Sequence, residues 1–338
     1  MTGVVTTPGV ASAGVASPGV ASGGERSARL VREIFLAGFM SGLPPENVAW
    51  ATHRLARNMD DVHLRAGDAL YRQGEPTTAH YFVVYGEIML AAAGVPPWTL
   101  GERSLIGTID LTLDRPRTRT ATATKDTHLL RMPATDWLDM LEDNFELMLR
   151  GIEGLAKGIH DLRAAIVGGA VVLDAPASSP TALSPKGELA LVDRVFLLRG
   201  VRLFAQAEAQ ALLDLAAHAV EMEVDAGAVI VAREHNDAMF VTVSGAIAAT
   251  TAASVPEETF GPGTLVFGSR AATSKELGFE AHAITKSRVL RLAREDYFDA
   301  MEEHFGLARS AMKALAAERE ALVNESALRA RSTSVSRE

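Results

Sequence analysis

Three arginines, Arg115, Arg117 and Arg119, fall within five residues of the stretch DRPRTRTATATKD, residues 114–126. Pro116 interrupts them, and strict alternation of threonine and alanine follows. A guanidinium is a permanent cation with a planar fork of N–H donors that fits carboxylate and phosphate oxygens. The whole chain is acidic, with a formal net charge of −9, so this local cationic knot stands out. It reads either as a solvated turn before an edge strand or as an anion site. On a strand, Arg117 and Arg119 point to one face; Arg115, just before the proline, is expected to be solvated.

An internal repeat supplies the elements that position these residues. AGDALYRQGEPTTAHYFVVYGEI, from Ala66, reads like AGAVIVAREHNDAMFVTVSGAI, from Ala226. Further on, LLRMPATDWLDMLEDNFELM, from Leu129, matches VLRLAREDYFDAMEEHFGLA, from Val289. The order of segments is kept over a shift of about 160 residues, so the chain holds two copies of one domain. Each copy opens with apolar residues at helical spacing, continues as short alternating strands with glycine turns, and closes in a helix. Thr135 or Asp136 is the expected N-cap of the first closing helix.

The ends and the middle are of another kind. Residues 1–24 repeat GVASA, GVASP and GVASG with a five-residue period and are expected to be a disordered tail. The Pro/Ser/Ala-rich stretch 166–187 reads as a linker. The division expected is a first domain at 27–165, a second at 188–322, and a C-terminal tail at 323–338.

Both copies resemble the cyclic nucleotide-binding domain of the catabolite activator protein, protein kinase A regulatory subunits and cyclic-nucleotide-gated channels. The resemblance is carried by AGDALYRQGE, YFVVYGEI and LIGTIDLTLDRPRTRTATATKDTHLLRM in copy one, and by FGPGTLVFGS and VLRLAREDYFDAMEEHF in copy two. It implies an α+β fold, mainly β with flanking helices: two jelly-roll-like β-rolls in tandem. It also implies a phosphate cassette similar to Phe-Gly-Glu-Leu, then a short helical turn, then Pro-Arg-Ala-Ala-Thr. There a helix N-terminus and one arginine hold a cyclic phosphate, and the glutamate grips the ribose hydroxyl. Here Gly107 matches the glycine, Pro116 the proline and Arg117 the phosphate ligand, followed by Thr118 and Arg119.

The departures are specific. Thr108 stands in place of the glutamate, without its charge or reach. Arg119 replaces a small residue and is expected either to add a cation or to obstruct the pocket. In copy two, Phe267, Gly268 and Ser269 keep the opening of the cassette, but the same count places Leu277 where Arg117 sits, beside Glu276 and Glu280. Any cyclic nucleotide is therefore expected in copy one.

Other chemistry finds little support. There is no cysteine, which excludes disulfides and thiolate chemistry and fits a reducing compartment; a cytoplasmic location is expected. The nine histidines show no HxH or HExxH spacing, so no metal is expected. No P-loop or nucleophile elbow is read, residues 1–24 are not expected to act as a secretory leader, and no apolar run is long enough to span a bilayer. The acidic balance argues against nucleic-acid binding. No winged helix is expected after copy two. Trp98, Trp137 and Tyr297 read as core residues, and the carboxylates of LEDNF and MEEHF as solvated helix faces. The expectation is a bacterial-type, non-enzymatic regulatory sensor or adaptor that takes cAMP or cGMP without a further cofactor. It would signal through a protein partner, with a homodimer allowed by the terminal helices. The alternative is a ligand-free interaction scaffold; a receptor for another anionic nucleotide, such as a cyclic dinucleotide, comes third.

Overall fold

The structure is a computed structural model; it describes residues 29, 32, 33, 36, 45–165, 187–232, 237–250, 257–268, 271 and 280–335. The stretches 1–24 and 166–186, read above as tail and linker, lie outside the described residues, as do Ser269, Glu276 and Leu277. Contacts divide the chain into residues 1–57 and 58–338. In the first unit, helix α1 (Pro45–Asn58) buries Ala51, Leu55 and Ala56. Arg32 donates from Nη1 to the Ala56 carbonyl oxygen at 3.3 Å, and the Arg29 and Glu33 side chains pair one helical turn apart at 2.9 Å.

The second unit holds two β-rolls. The first uses β1 (Asp60–Leu64), β2 (Ala69–Tyr71), β3 (Ala79–Tyr85), β4 (Ile88–Ala92), β5 (Val95–Leu100) and β6 (Leu105–Ile106). A short helix α2 (Thr108–Thr112), then β7 (Thr120–Ala123) and β8 (Thr127–Pro133), complete it. The strands form two antiparallel sheets, ordered β1-β8-β3-β6 and β2-β7-β4-β5. The alternation in TATA becomes physical in β7. Ala121 and Ala123 are buried against the roll interior, while Thr120 and Thr122 are half-buried, as the two-residue period of a pleated strand requires.

The closing helices α3 (Ala134–Asp143) and α4 (Phe145–Ala165) lead towards the second copy. That copy opens with α5 (Leu191–Gly200) and α6 (Ala209–His218). Its strands are β9 (Val220–Val224), β10 (Val229–Val231), β11 (Ala238–Ser244), β12 (Ile247–Thr250), β13 (Glu258–Phe260), β14 (Glu280–Ala283) and β15 (Ser287–Ala293). Sheets ordered β11-β15-β9 and β10-β14-β12-β13 repeat the first roll's pairing. Helices α7 (Arg294–Glu303) and α8 (Phe305–Val335) close it. The expected α+β architecture of tandem rolls is what the chain adopts.

The repeat extends to single bonds. Gly67 and Gly227 both have positive φ (93° and 83°), and their amides donate to Ala123 and Ala283 carbonyl oxygens at 2.8 Å in each roll. Gly86 (φ 97°) and Gly245 (φ 83°) sit so close to Thr127 and Ser287 that a Cβ on either would overlap the hydroxyl. Those hydroxyls accept from the amides of Glu87 at 3.0 Å and Ala246 at 3.1 Å.

Two expectations need correction. Helix α3 begins at Ala134, capped by Pro133 (φ −57°, ψ 144°), and no side-chain cap from Thr135 or Asp136 is made. Proline's fixed φ ends the strand and leaves the next residue free to start the helix. Residues 323–335, read as tail, continue α8; their run of Ala, Leu, Arg and Glu has high helix propensity.

Helices α4 and α8 pack along each other, burying Met148, Ile152, Ile159, Met312, Leu315 and Leu322. Glycines let them approach: a Cβ on Gly151 would meet the Met312 methyl at 2.7 Å, and one on Gly158 would meet Arg319 Nε at 3.2 Å. No described helix is long and apolar enough to cross a membrane. Among the described residues no group of His, Asp and Glu could hold a metal ion.

Candidate ligand-binding site

The segment from Gly107 to Arg119 folds back on itself. Gly107 lies in the left-handed region (φ 81°) at the start of α2. The Arg115 amide returns to the Asp110 carbonyl oxygen at 3.1 Å. Pro116 is exposed at the tip. Arg117 and Arg119 are both buried, at 3% and 7% exposure, and alternate with half-buried Thr118. Strand β7 begins only at Thr120, so the shared face expected of a strand is not formed by Arg117 and Arg119, and their guanidiniums end in different places.

Arg117 turns into the core. Its Nη1 donates to the Gly107 carbonyl oxygen at 3.1 Å, and its Nη2 donates to the Ala79 carbonyl oxygen. The guanidinium lies over Tyr71, 4.1 Å from the ring centroid, with Tyr81 at 5.9 Å. A Cβ on residue 107 would overlap it, so the glycine is required by close approach as well as by φ. Burial raises the Tyr71 phenol, against the opposing pull of Arg117. Nearby His80 is fully buried between Phe82 and Trp137, with ring centroids 5.3 and 4.6 Å away. Neither of its ring nitrogens has a partner among the described residues. Burial, reinforced by the Arg117 charge, pushes its pKa down to about 3.

Arg119 faces a pocket instead. Its guanidinium stacks on Trp98 at 3.9 Å, donates to the Pro96 carbonyl oxygen at 2.7 Å, and reaches Asn324 Oδ1 on α8 at 3.3 Å. Trp98 packs against the roll's core, as expected, and its ring is also a platform for a cation. Burial lowers the Arg119 pKa, while Glu320 and Asp110 work the other way. The pocket, about 470 Å³, is lined by Tyr71, Trp98, Thr108 and Arg119 from the roll, and closed by Glu320 and Val323 of α8. The Thr108 hydroxyl, where the cassette pattern places glutamate, is buried and has no partner among the described residues.

Arg115 departs from expectation. It is not solvated: its Nε donates to Asp110 Oδ1 at 2.9 Å and its Nη2 to Glu320 Oε1 of α8. Burial lowers its pKa, but the bonds to Glu320 and Asp110 outweigh that, and it ends above its ordinary value. Asp110 also accepts from Thr118, at 3.1 Å from the amide and 2.9 Å from the hydroxyl. One buried carboxylate therefore gathers three donors from the cassette.

The second roll is built differently at the matching place. Tyr71 and Tyr81, the two rings nearest the Arg117 guanidinium, correspond in strand position to Val231 and Phe240. Phe267 is buried against Phe260, with centroids 6.1 Å apart. It takes a positive φ of 68°, unusual for a bulky residue. The interior of this roll is apolar, with Val231, Phe240, Phe260 and Phe267 in one cluster.

The sequence reading missed Asp110, Glu320 and Asn324. Asp110 had a signal, being two residues after Thr108 in the cassette. Glu320 and Asn324 had none, since each meets its arginine across 205 residues of chain.

Residues 61–144 match the family model of the cyclic nucleotide-binding domain. No curated protein matches the chain. Among solved structures, the chain is similar to the regulatory domain of Toxoplasma gondii PKA with cAMP: 14% identity, 86% of this chain and 95% of that one, TM-score 0.31. It is also similar to the regulatory subunit of a cAMP-independent protein kinase A from Trypanosoma brucei: 13% identity, 82% and 89%, TM-score 0.31. The sensor domain of the regulator DNR from Pseudomonas aeruginosa is 23% identical over 42% of this chain and 96% of that one, TM-score 0.35. The matched residues 61–144 run from β1 to the end of α3 and include the Gly107-to-Arg119 cassette, so it is the first roll that carries the similarity to the cyclic nucleotide-binding domain.

Proposed function

We propose that this chain is a regulatory receptor whose first domain, 27–165, takes an anionic nucleotide of the cyclic monophosphate kind, cAMP or cGMP. The observation that carries this reading is the pocket under α8. There Arg119 on Trp98 supplies a cation, and Thr108 supplies a buried hydroxyl without a partner. Both are groups that a phosphate and a ribose hydroxyl would satisfy. Arg119, not Arg117, is then the phosphate-facing residue; Arg117 holds Gly107 and the cassette in shape. The second domain, 188–322, serves as the moving partner, since α8 grows from it and covers the first pocket. Occupancy is passed on through protein contacts made by the displaced helix.

Calorimetric titration of the full chain with cAMP, cGMP and cyclic dinucleotides tests this reading. One cyclic monophosphate should bind at one site per chain. A hydrogen bond to a charged group is worth about 1.5–3 kcal/mol, so Arg119→Ala should weaken binding by about 10-fold to 150-fold. A specific observation favours the scaffold as second reading: both terminal nitrogens of Arg117 already donate to carbonyl oxygens of the chain, Nη1 to Gly107 and Nη2 to Ala79.

A further inference from the structure

The cassette already holds anions, and they belong to the chain. Asp110 is 7% exposed and takes the Thr118 amide, the Thr118 hydroxyl and Arg115 Nε at 2.9–3.1 Å. Glu320, from the far end of the sequence, takes Arg115 Nη2. Asn324, one turn further along α8, takes Arg119 Nη2 at 3.3 Å. Residues four apart share a helix face, and Val323 between them closes the pocket. One face of α8 thus grips both arginines on the pocket side of the cassette.

We infer that Asp110 and Glu320 are resident anions that latch α8 over the first roll through Arg115, so that a ligand anion enters only by displacing a side chain of α8 from its arginine. The inference rests on the pocket assigned above and concerns its regulation. A phosphate brought to Arg115 or Arg119 meets two carboxylates in a partly buried site, where like charges repel more strongly than in water. Binding must therefore break Arg115–Glu320 or Arg119–Asn324, and either break loosens α8. A ligand shifts the helix only by binding the released state more tightly than the latched one. Entry and release of α8 are then one event. The chain stays latched, and its affinity stays low, until the anion outcompetes its own side chains.

Two measurements on the full chain test this inference, with Glu320→Gln, Asp110→Asn and, as a control, Glu302→Gln on the exposed face of α7. Hydrogen–deuterium exchange without ligand reads the latch. Glu320→Gln should raise exchange several-fold in the α8 peptides around residues 316–326 and leave the β-strands of both rolls unchanged; Glu302→Gln should do neither. Unchanged exchange in Glu320→Gln would show that the ion pair is no latch. Calorimetry with cAMP, cGMP and inorganic phosphate reads the competition. Glu320→Gln should tighten anion binding at least 5-fold; equal or weaker binding overturns the displacement model. Asp110→Asn, which keeps the shape of the side chain, should tighten it as well, and a loss of anion binding without a change in exchange counts against it. If no anion binds any variant, the receptor reading fails, while the exchange result still decides the latch.

Discussion

Arg117 occupies the space in which a side chain at Gly107 would begin, and donates to the carbonyl oxygen of that glycine at 3.1 Å. Two residues of the cassette ten positions apart are thus locked as one unit. The lock has a direct consequence. Gly107→Ala forces a left-handed alanine, at about 1–2 kcal/mol, and expels the guanidinium from its two carbonyl partners. The melting temperature should fall by several degrees, and Arg117→Ala should cause a comparable fall. Substitution at Gly94, whose φ is 78° but whose Cβ would meet nothing within 4 Å, should show the backbone cost alone. A Gly107→Ala effect no larger than that of Gly94→Ala would contradict the lock.

The buried imidazole sets an acid limit. His80 in the fold resists protonation down to about 3, whereas an unfolded histidine takes a proton near 6.5. Between those values the unfolded chain binds the extra proton, so stability falls as pH falls, by up to about 1.4 kcal/mol per unit. Above about 6.5 neither state is charged at this residue and the effect vanishes. Met239 stands at the matching position of the second roll, also buried. His80→Met should therefore widen its stability advantage over the parent as the pH of a thermal melt drops from about 6.5 towards 4. Parallel pH profiles for the two proteins would rule the histidine out.

Much of this was legible in the sequence, for physical reasons. The two rolls and their glycine turns followed from the repeat, because positive-φ glycines and alternating apolar residues recur at the same places in both copies, as at Gly86 and Gly245. The position of Arg117 in the cassette was legible; the direction of its side chain was not. Tyr71 and Tyr81 decide that direction by offering π-faces and leaving two carbonyl oxygens in reach. Arg115 was misread because its second carboxylate lies on α8. No local pattern reports a contact made across 205 residues.

Close packing of α4 on α8 should depend on the glycines of α4. A glycine inside a helix costs about 1 kcal/mol relative to alanine, so its presence at the contact marks a steric need. Gly158→Leu should push Arg319 aside, separate the helices, and lower the melting temperature. Gly154→Ala, where a Cβ meets nothing within 4 Å, should raise it slightly. A stabilising Gly158→Leu in the same assay would contradict the packing.

The second roll should remain empty where the first responds. Phe260 and Phe267 fill its interior, and Val231 and Phe240 replace the tyrosines that hold an arginine. Trp98→Ala, which removes the platform of Arg119 in the first roll, should abolish most nucleotide binding to the full chain. Thr264→Ala in the second roll should leave it unchanged. Binding retained in Trp98→Ala would move the site out of the first pocket.

The most direct measurement is calorimetry of the full chain with cAMP and cGMP, run beside Arg119→Ala and Glu320→Gln. One saturable site per chain is expected, weaker by about 10-fold to 150-fold in Arg119→Ala and tighter in Glu320→Gln. Flat titrations in the parent and in Glu320→Gln alike would contradict it and leave the tandem rolls as a ligand-free scaffold.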